Sequence, residues 1–254
     1  MQMVGLLGVI LLTTAASHEV RLEDPRLTVS FKTDQSIFPP SWNTPEIKPT
    51  AQPINPADET SCVEAVKRAL SKYPAKLTET NLKTIYVTQN LSFYGLSYGG
   101  TNFINSLYLT LIPFHVKSFS IRFLERALHH EFSSILLRNY NQHFPTSAWI
   151  AANPPDFQYR GDGTQSLREG TASTKFEEKF NEQGFLAEYS TSSLEEDFNM
   201  YAEAILSGDP EFWRIYEKHP AIAKKADLAM SFYSKLDPTF SKKSFARLAQ
   251  ALTQ

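Results

Sequence analysis

Leu128-His129-His130-Glu131-Phe132-Ser133-Ser134-Ile135-Leu136 is the stretch on which the reading of this chain turns. It lies inside a predicted helix over about 117–140, where Leu124, Leu128, Ile135 and Leu136 recur at helical spacing, flanked by Phe123, Ala127 and Phe132. Glu131 falls on the same apolar stripe. A carboxylate there costs several kcal/mol unless it is paired, neutralised or bound near a metal. An ion pair with Arg122 or Arg126 would satisfy it with no chemistry involved.

Upstream of this helix the pattern is of strands. Residues 26–31 alternate like one strand, and 84–88 and 106–111 are β-type runs with Gly95, Gly99 and Gly100 marking turns between them. Between 38 and 56 stand six of the 15 prolines, which favour extended backbone and read as a linker or a strap over the domain. Asp58 or Thr60 opens a helix that runs to Tyr73 and stops at Pro74, with Cys62 on its apolar side as a buried small residue. Downstream, helices are expected at about 174–181, 194–206, 210–217, 221–236 and 241–252, after a long loop over 145–173. The fold class is therefore α+β, predominantly helical: a small sheet, a central helix and a helical C-terminal part.

The 25 Lys and Arg against 27 Asp and Glu give a net charge of −2, which argues against nucleic acid as a partner. A single cysteine removes any intramolecular disulfide and any cysteine-based zinc knuckle, so a metal would fall to His, Asp or Glu. Val4 to Leu12 form an apolar run followed by Thr13-Thr14-Ala15-Ala16-Ser17, the pattern of a signal peptide over 1–17. That run is too short to span a bilayer comfortably. No cysteine follows it to carry a lipid anchor, so a secreted or periplasmic protein is expected, with 18–57 as N-terminal strand and Pro-rich linker and 58–254 as the main domain.

His130-Glu131 resembles the start of the His-Glu-x-x-His helix of zinc peptidases, in which two histidines at i and i+4 bind zinc and the Glu activates water. Here the i+4 position is Ser134. Some sixty residues on stands Gly184-Phe185-Leu186-Ala187-Glu188-Tyr189-Ser190-Thr191-Ser192-Ser193-Leu194-Glu195-Glu196-Asp197-Phe198. With His129-His130-Glu131-Phe132 it resembles the zinc-binding metallopeptidases of bacterial exported lipoproteins, relatives of the catalytic domain of anthrax lethal factor. In that group a Gly-Phe-x-x-x-Tyr stretch leads through a Ser-rich turn into a Glu-Asp-Phe helix start.

The resemblance implies a zincin-like domain whose sheet edge lines a cleft. It implies His130 and Glu196 as zinc ligands, Glu131 as general base, Tyr189 as a hydroxyl near the metal, and a peptide or protein as substrate. The expected activity is zinc-dependent peptide hydrolysis. The alternative is a pseudo-peptidase that binds without cleaving, because Ser134 leaves the site one imidazole short. Each residue also has a plainer role: Ser193-x-x-Glu196 is a capping box, Tyr189 a packed ring, and Glu203 a carboxylate steadying a ligand or a solvated charge. His115, His143 and His219 read as surface or capping histidines. Arg160-Gly161-Asp162 is a chance match to an adhesion tripeptide, and Lys224, Lys225, Lys242, Lys243 and Arg247 read as solvated helix faces.

Overall fold

The computed structural model describes residues 18–112 and 117–250. The expected signal peptide over 1–17 lies outside them. So does His115.

Strands β1 (Glu19–Glu23) and β2 (Arg26–Ser30) form an antiparallel hairpin. Crossover helices α1 (Glu59–Leu70) and α2 (Ala75–Asn81) then return the chain to β4 (Thr84–Thr88), parallel to β2. Before them the Pro-rich segment contributes β3 (Thr50–Gln52), which pairs with β5 (Asn90–Phe93), itself paired with β6 (Leu96–Tyr98). The chain continues as β7 (Gly100–Phe103), turns, and enters the main sheet as β8 (Ser106–Thr110). The five-stranded order is β1-β2-β4-β8-β7, with β4 and β8 parallel and β7 antiparallel at one edge. Ile85, Val87, Leu107 and Leu109, in register across β4 and β8, are fully buried. β-Branched and aliphatic residues fit such a two-sided interior.

Residues 18–57 are thus part of the structure. β2 joins the main sheet, and the Pro-rich segment straps the small sheet, where Ile37 and Phe38 pack with Leu91, Phe93 and Tyr108. The hairpin partner β1 was not expected, because Glu19-Val20-Arg21-Leu22-Glu23 shows little apolar content.

Against the main sheet lies α3 (Lys117–Asn139), the helix of the decisive stretch, with α1 on one side and α7 (Leu194–Leu206) on another. Between α3 and α7 the chain forms α4 (Thr146–Ile150), α5 (Gly163–Glu169) and α6 (Glu178–Asn181). The expected long loop therefore contains two short helices, and the helix expected from 174 starts only at Glu178. Asp162 caps α5 by accepting from Gln165 N at 2.8 Å, and Gly170 ends it at φ 70°. After α7 follow α8 (Pro210–Lys218), α9 (Pro220–Leu236) and α10 (Lys242–Gln250). The chain is α+β and predominantly helical. Among the described residues no helix is long and apolar enough to cross a membrane.

Candidate functional site

Consecutive residues on a helix point about 100° apart, so His129, His130 and Glu131 face three surroundings. His129 turns inward, where its Nδ1 meets the Tyr73 hydroxyl at 2.9 Å. Burial pulls its pKa down to about 3. His130 faces α7. Its Nε2 lies 2.9 Å from Glu196 Oε2 and its Nδ1 3.0 Å from Glu203 Oε2. Glu196 and Glu203 are seven residues apart, hence two turns along one face, and the imidazole fills the gap between them.

Burial opposes charge on His130, yet the hydrogen bonds to Glu196 and Glu203 hold its pKa well above the usual imidazole value. Its two ring nitrogens are then both donors. Glu203 is buried too, but Arg126 and His130 keep it below the ordinary carboxylate value. Arg126, one turn before His130, donates to Glu203 Oε1 from Nε at 3.0 Å and from Nη2 at 2.6 Å. Its Nη1 donates to Asp209 Oδ2 at 2.9 Å, while Asp209 Oδ1 caps α8 through Glu211 N at 2.9 Å. Arg126 thus serves Glu203 and Asp209 and does not pair with Glu131.

Glu131 looks toward the sheet edge. Asn102 of β7 donates to its Oε2 at 2.9 Å, and no arginine reaches it. Burial raises its pKa to about 7, with His130 and Asn102 pulling in the other direction. Gly100 of β7 lies so close that a Cβ there would stand 2.9 Å from Glu131 Oε1. The Tyr189 ring stacks on His130 at 6.1 Å between centroids, and its hydroxyl meets Glu196. Burial and the Glu196 charge push that phenol well above its usual value. Gly163, the first residue of α5, covers this corner: a side chain there would collide with the Tyr189 hydroxyl and Glu196 Oε1. Tyr98 donates to Thr164 Oγ1 at 3.0 Å and ties α5 to the end of β6.

Beside these groups opens a cleft of about 870 Å³, whose wall includes Gly100, Phe123, His130, Glu131, Leu167 and Tyr189. The structure therefore brings His130, Glu131, Glu196 and Tyr189 together, although Glu196 itself stands behind the cleft wall. Ser134 is buried, with its Oγ accepting from Asn199 Nδ2 at 2.7 Å, and Ser133 reaches Asn199 Oδ1 at 2.8 Å. A catalytic zinc uses three protein donors. His130 and Glu196 are two, the Ser134 hydroxyl is committed to Asn199, and among the described residues no group of three or more His, Cys, Asp or Glu is placed to hold a metal ion. The donors present do not fit a three-ligand zinc site.

Half of the expected capping box is present. Ser193 Oγ accepts from Glu196 N at 3.1 Å, while the Glu196 carboxylate goes to His130. His143 is exposed outside the cleft, and His219 is buried at the start of α9, its Nε2 3.4 Å from Glu178. Arg160 is engaged by the Thr191 hydroxyl at 2.6 Å and Asp162 is a helix cap, so neither is presented as part of an adhesion loop. Asp209 and Asn102 escaped sequence reading. Gly208-Asp209-Pro210 is a cap signature that marks Asp209 as a helix start, but nothing in Asn102 foretells its contact with Glu131. Comparison with protein-family models, curated proteins and solved structures finds no match to this chain.

Proposed function

We propose that this chain is an exported pseudo-peptidase: a peptide-binding protein on a zincin-like fold, with a cleft of catalytic shape that lacks the metal chemistry. The observation that carries the reading is the state of the second-ligand position. Ser134 is buried against Asn199, and both nitrogens of His130 are taken by carboxylates. The zincin-like part rests on the arrangement: an edge strand beside the helix of His130 and Glu131, and a second helix bringing Glu196 to His130. Among the described residues β7 pairs on one side only, so an extended peptide can add to its main-chain edge next to Glu131.

One observation favours the enzyme reading. Burial holds the Glu131 carboxyl near neutrality, at about 7, as a general base should be, and Tyr189 lines the same cleft. The two are separated by mixing the protein, mature from about His18, with labelled unstructured peptides, with added zinc or with chelator. Binding is read by fluorescence anisotropy and cleavage by mass spectrometry. The expected result is binding that chelator leaves unchanged, with the peptides intact. Zinc-dependent cleavage that disappears in Glu131→Gln would establish the enzyme instead.

A further inference from the structure

The cleft has an electrically uneven wall. Its inner end holds the Arg126, His130, Glu196, Glu203 and Asp209 network, where each charge faces an opposite one. Its outer wall carries Arg122 from α3, Lys175 from the stretch before α6, and Arg214 from α8. All three are exposed, and among the described residues none makes an ion pair. Residues 1–17, 113–119 and 249–254 contain no Asp or Glu, so every acidic side chain of the protein belongs to the described residues. The acidic residue beside these cations in the wall is Glu211, also without an ion pair. On this outer part three cations stand against one anion, whereas deeper in Arg126 and His130 face three carboxylates and Glu131 adds a fourth, so the positive excess belongs to the outer wall alone, on a protein whose net charge is −2.

Cations without an ion pair around a concave, partly apolar wall raise the local concentration of anions and orient them. Phe123, Ala127 and Leu167 supply apolar surface in the same wall. We propose that the cleft selects peptides bearing acidic side chains, held by Arg122, Lys175 and Arg214; this rests on the peptide-binding reading above. The helix fixes a register. Arg122 precedes Glu131 by nine residues, about 13.5 Å along the axis, and an extended peptide rises about 3.3 Å per residue. The acidic side chain therefore sits about four residues from the one lying against Glu131. The inner carboxylates disfavour a second acidic residue at that end, which gives the peptide a direction.

Three labelled ten-residue peptides of one apolar framework, with paired Glu, Gln or Lys at a single position, test this by anisotropy at low and high salt. The Glu peptide should bind on the order of tenfold tighter than the Lys peptide at low salt, with the gap closing at high salt. Arg122→Gln with Arg214→Gln should collapse the order of the three without lowering the melting temperature, whereas Lys224→Gln on α9 should leave the order intact. Equal binding of Glu and Lys peptides, or a preference that survives the double substitution, overturns the proposal while the peptide-binding reading stands. Failure of all three peptides to bind removes both. A peptide of the same composition with its Glu pair moved to any other position that binds as tightly would identify a general anion surface and overturn the proposal as well.

Discussion

Glu196 and Asp197 are neighbours on α7 and meet cations under opposite conditions. Asp197 turns into the interior, where Oδ2 accepts from Lys225 Nζ at 2.6 Å, from the Tyr159 hydroxyl at 2.8 Å and from Trp149 Nε1 at 3.0 Å. The Lys225 ammonium stands 3.9 Å from the centre of the Phe185 ring. Both side chains are wholly excluded from solvent. Burial pushes Asp197 up and Lys225 down, each toward its neutral form, against their mutual attraction. Glu196 instead meets an imidazole that keeps its proton, beside a cleft. Buried charge alone does not mark a site. Asp197 and Lys225 form a closed pair inside an aromatic cage and do not line the cleft, whereas His130 and Glu131 border its open volume.

The largest expected effect lies in the closed pair. Lys225→Met leaves Asp197 buried without its cation and should lower stability by about 3–5 kcal/mol, with much of that recovered when Asp197→Asn is added. Thermal or urea unfolding measures it, and a loss below about 1 kcal/mol would erase the contrast drawn here.

Next comes Glu131, whose folded pKa of about 7 lies above its ordinary 4.5. The folded state then holds the proton more tightly than the unfolded chain, so the stability it contributes is complete below pH 4.5 and is lost as pH rises through 7. Glu131→Gln should therefore be more stable than the wild type at pH 8, by up to about 3 kcal/mol, and the difference should vanish in acid. Denaturant titrations at several pH values decide this. A variant that is less stable at pH 8 would mean that the carboxylate is held ionised, as in a structural ion pair.

The smallest effect sharpens the open side. Ser134 is packed on Asn199, so an imidazole there needs Asn199 shortened. Ser134→His with Asn199→Ala should bind zinc at least about tenfold tighter than the wild type, roughly 1.4 kcal/mol, by calorimetric titration. No gain would show that position 134 does not face the point shared by His130 and Glu196.

Much of the frame was legible because its signals are local. The apolar period of α3, the Ser193 cap of α7 and the β-type runs of β4 and β8 each specify their element within a dozen residues. The grouping of His130, Glu131, Tyr189 and Glu196 was approached through the two motifs and their order. What stayed hidden is long-range pairing. Lys225 reads as one more solvated lysine, and only the fold shows that its helix turns it onto Asp197, 28 residues away. The commitment of Arg126 to Glu203 and Asp209, when the plainer reading offered it or Arg122 to Glu131, is of the same kind: one side chain with several carboxylates in reach, and a choice made by packing. Short helices such as α5 were missed because their stability comes from what they cover.

The clamping of His130 has a consequence in time. An exposed imidazole turns about its Cβ–Cγ bond within picoseconds to nanoseconds. Here both nitrogens are bound to carboxylates on one helix, and one of those carboxylates is itself held by Arg126, which also donates to Asp209, the cap of the next helix. The ring can turn over only when both bonds break together. Its motion thereby waits on the two α7 carboxylates letting go at once, and until they do the ring keeps one face toward Tyr189.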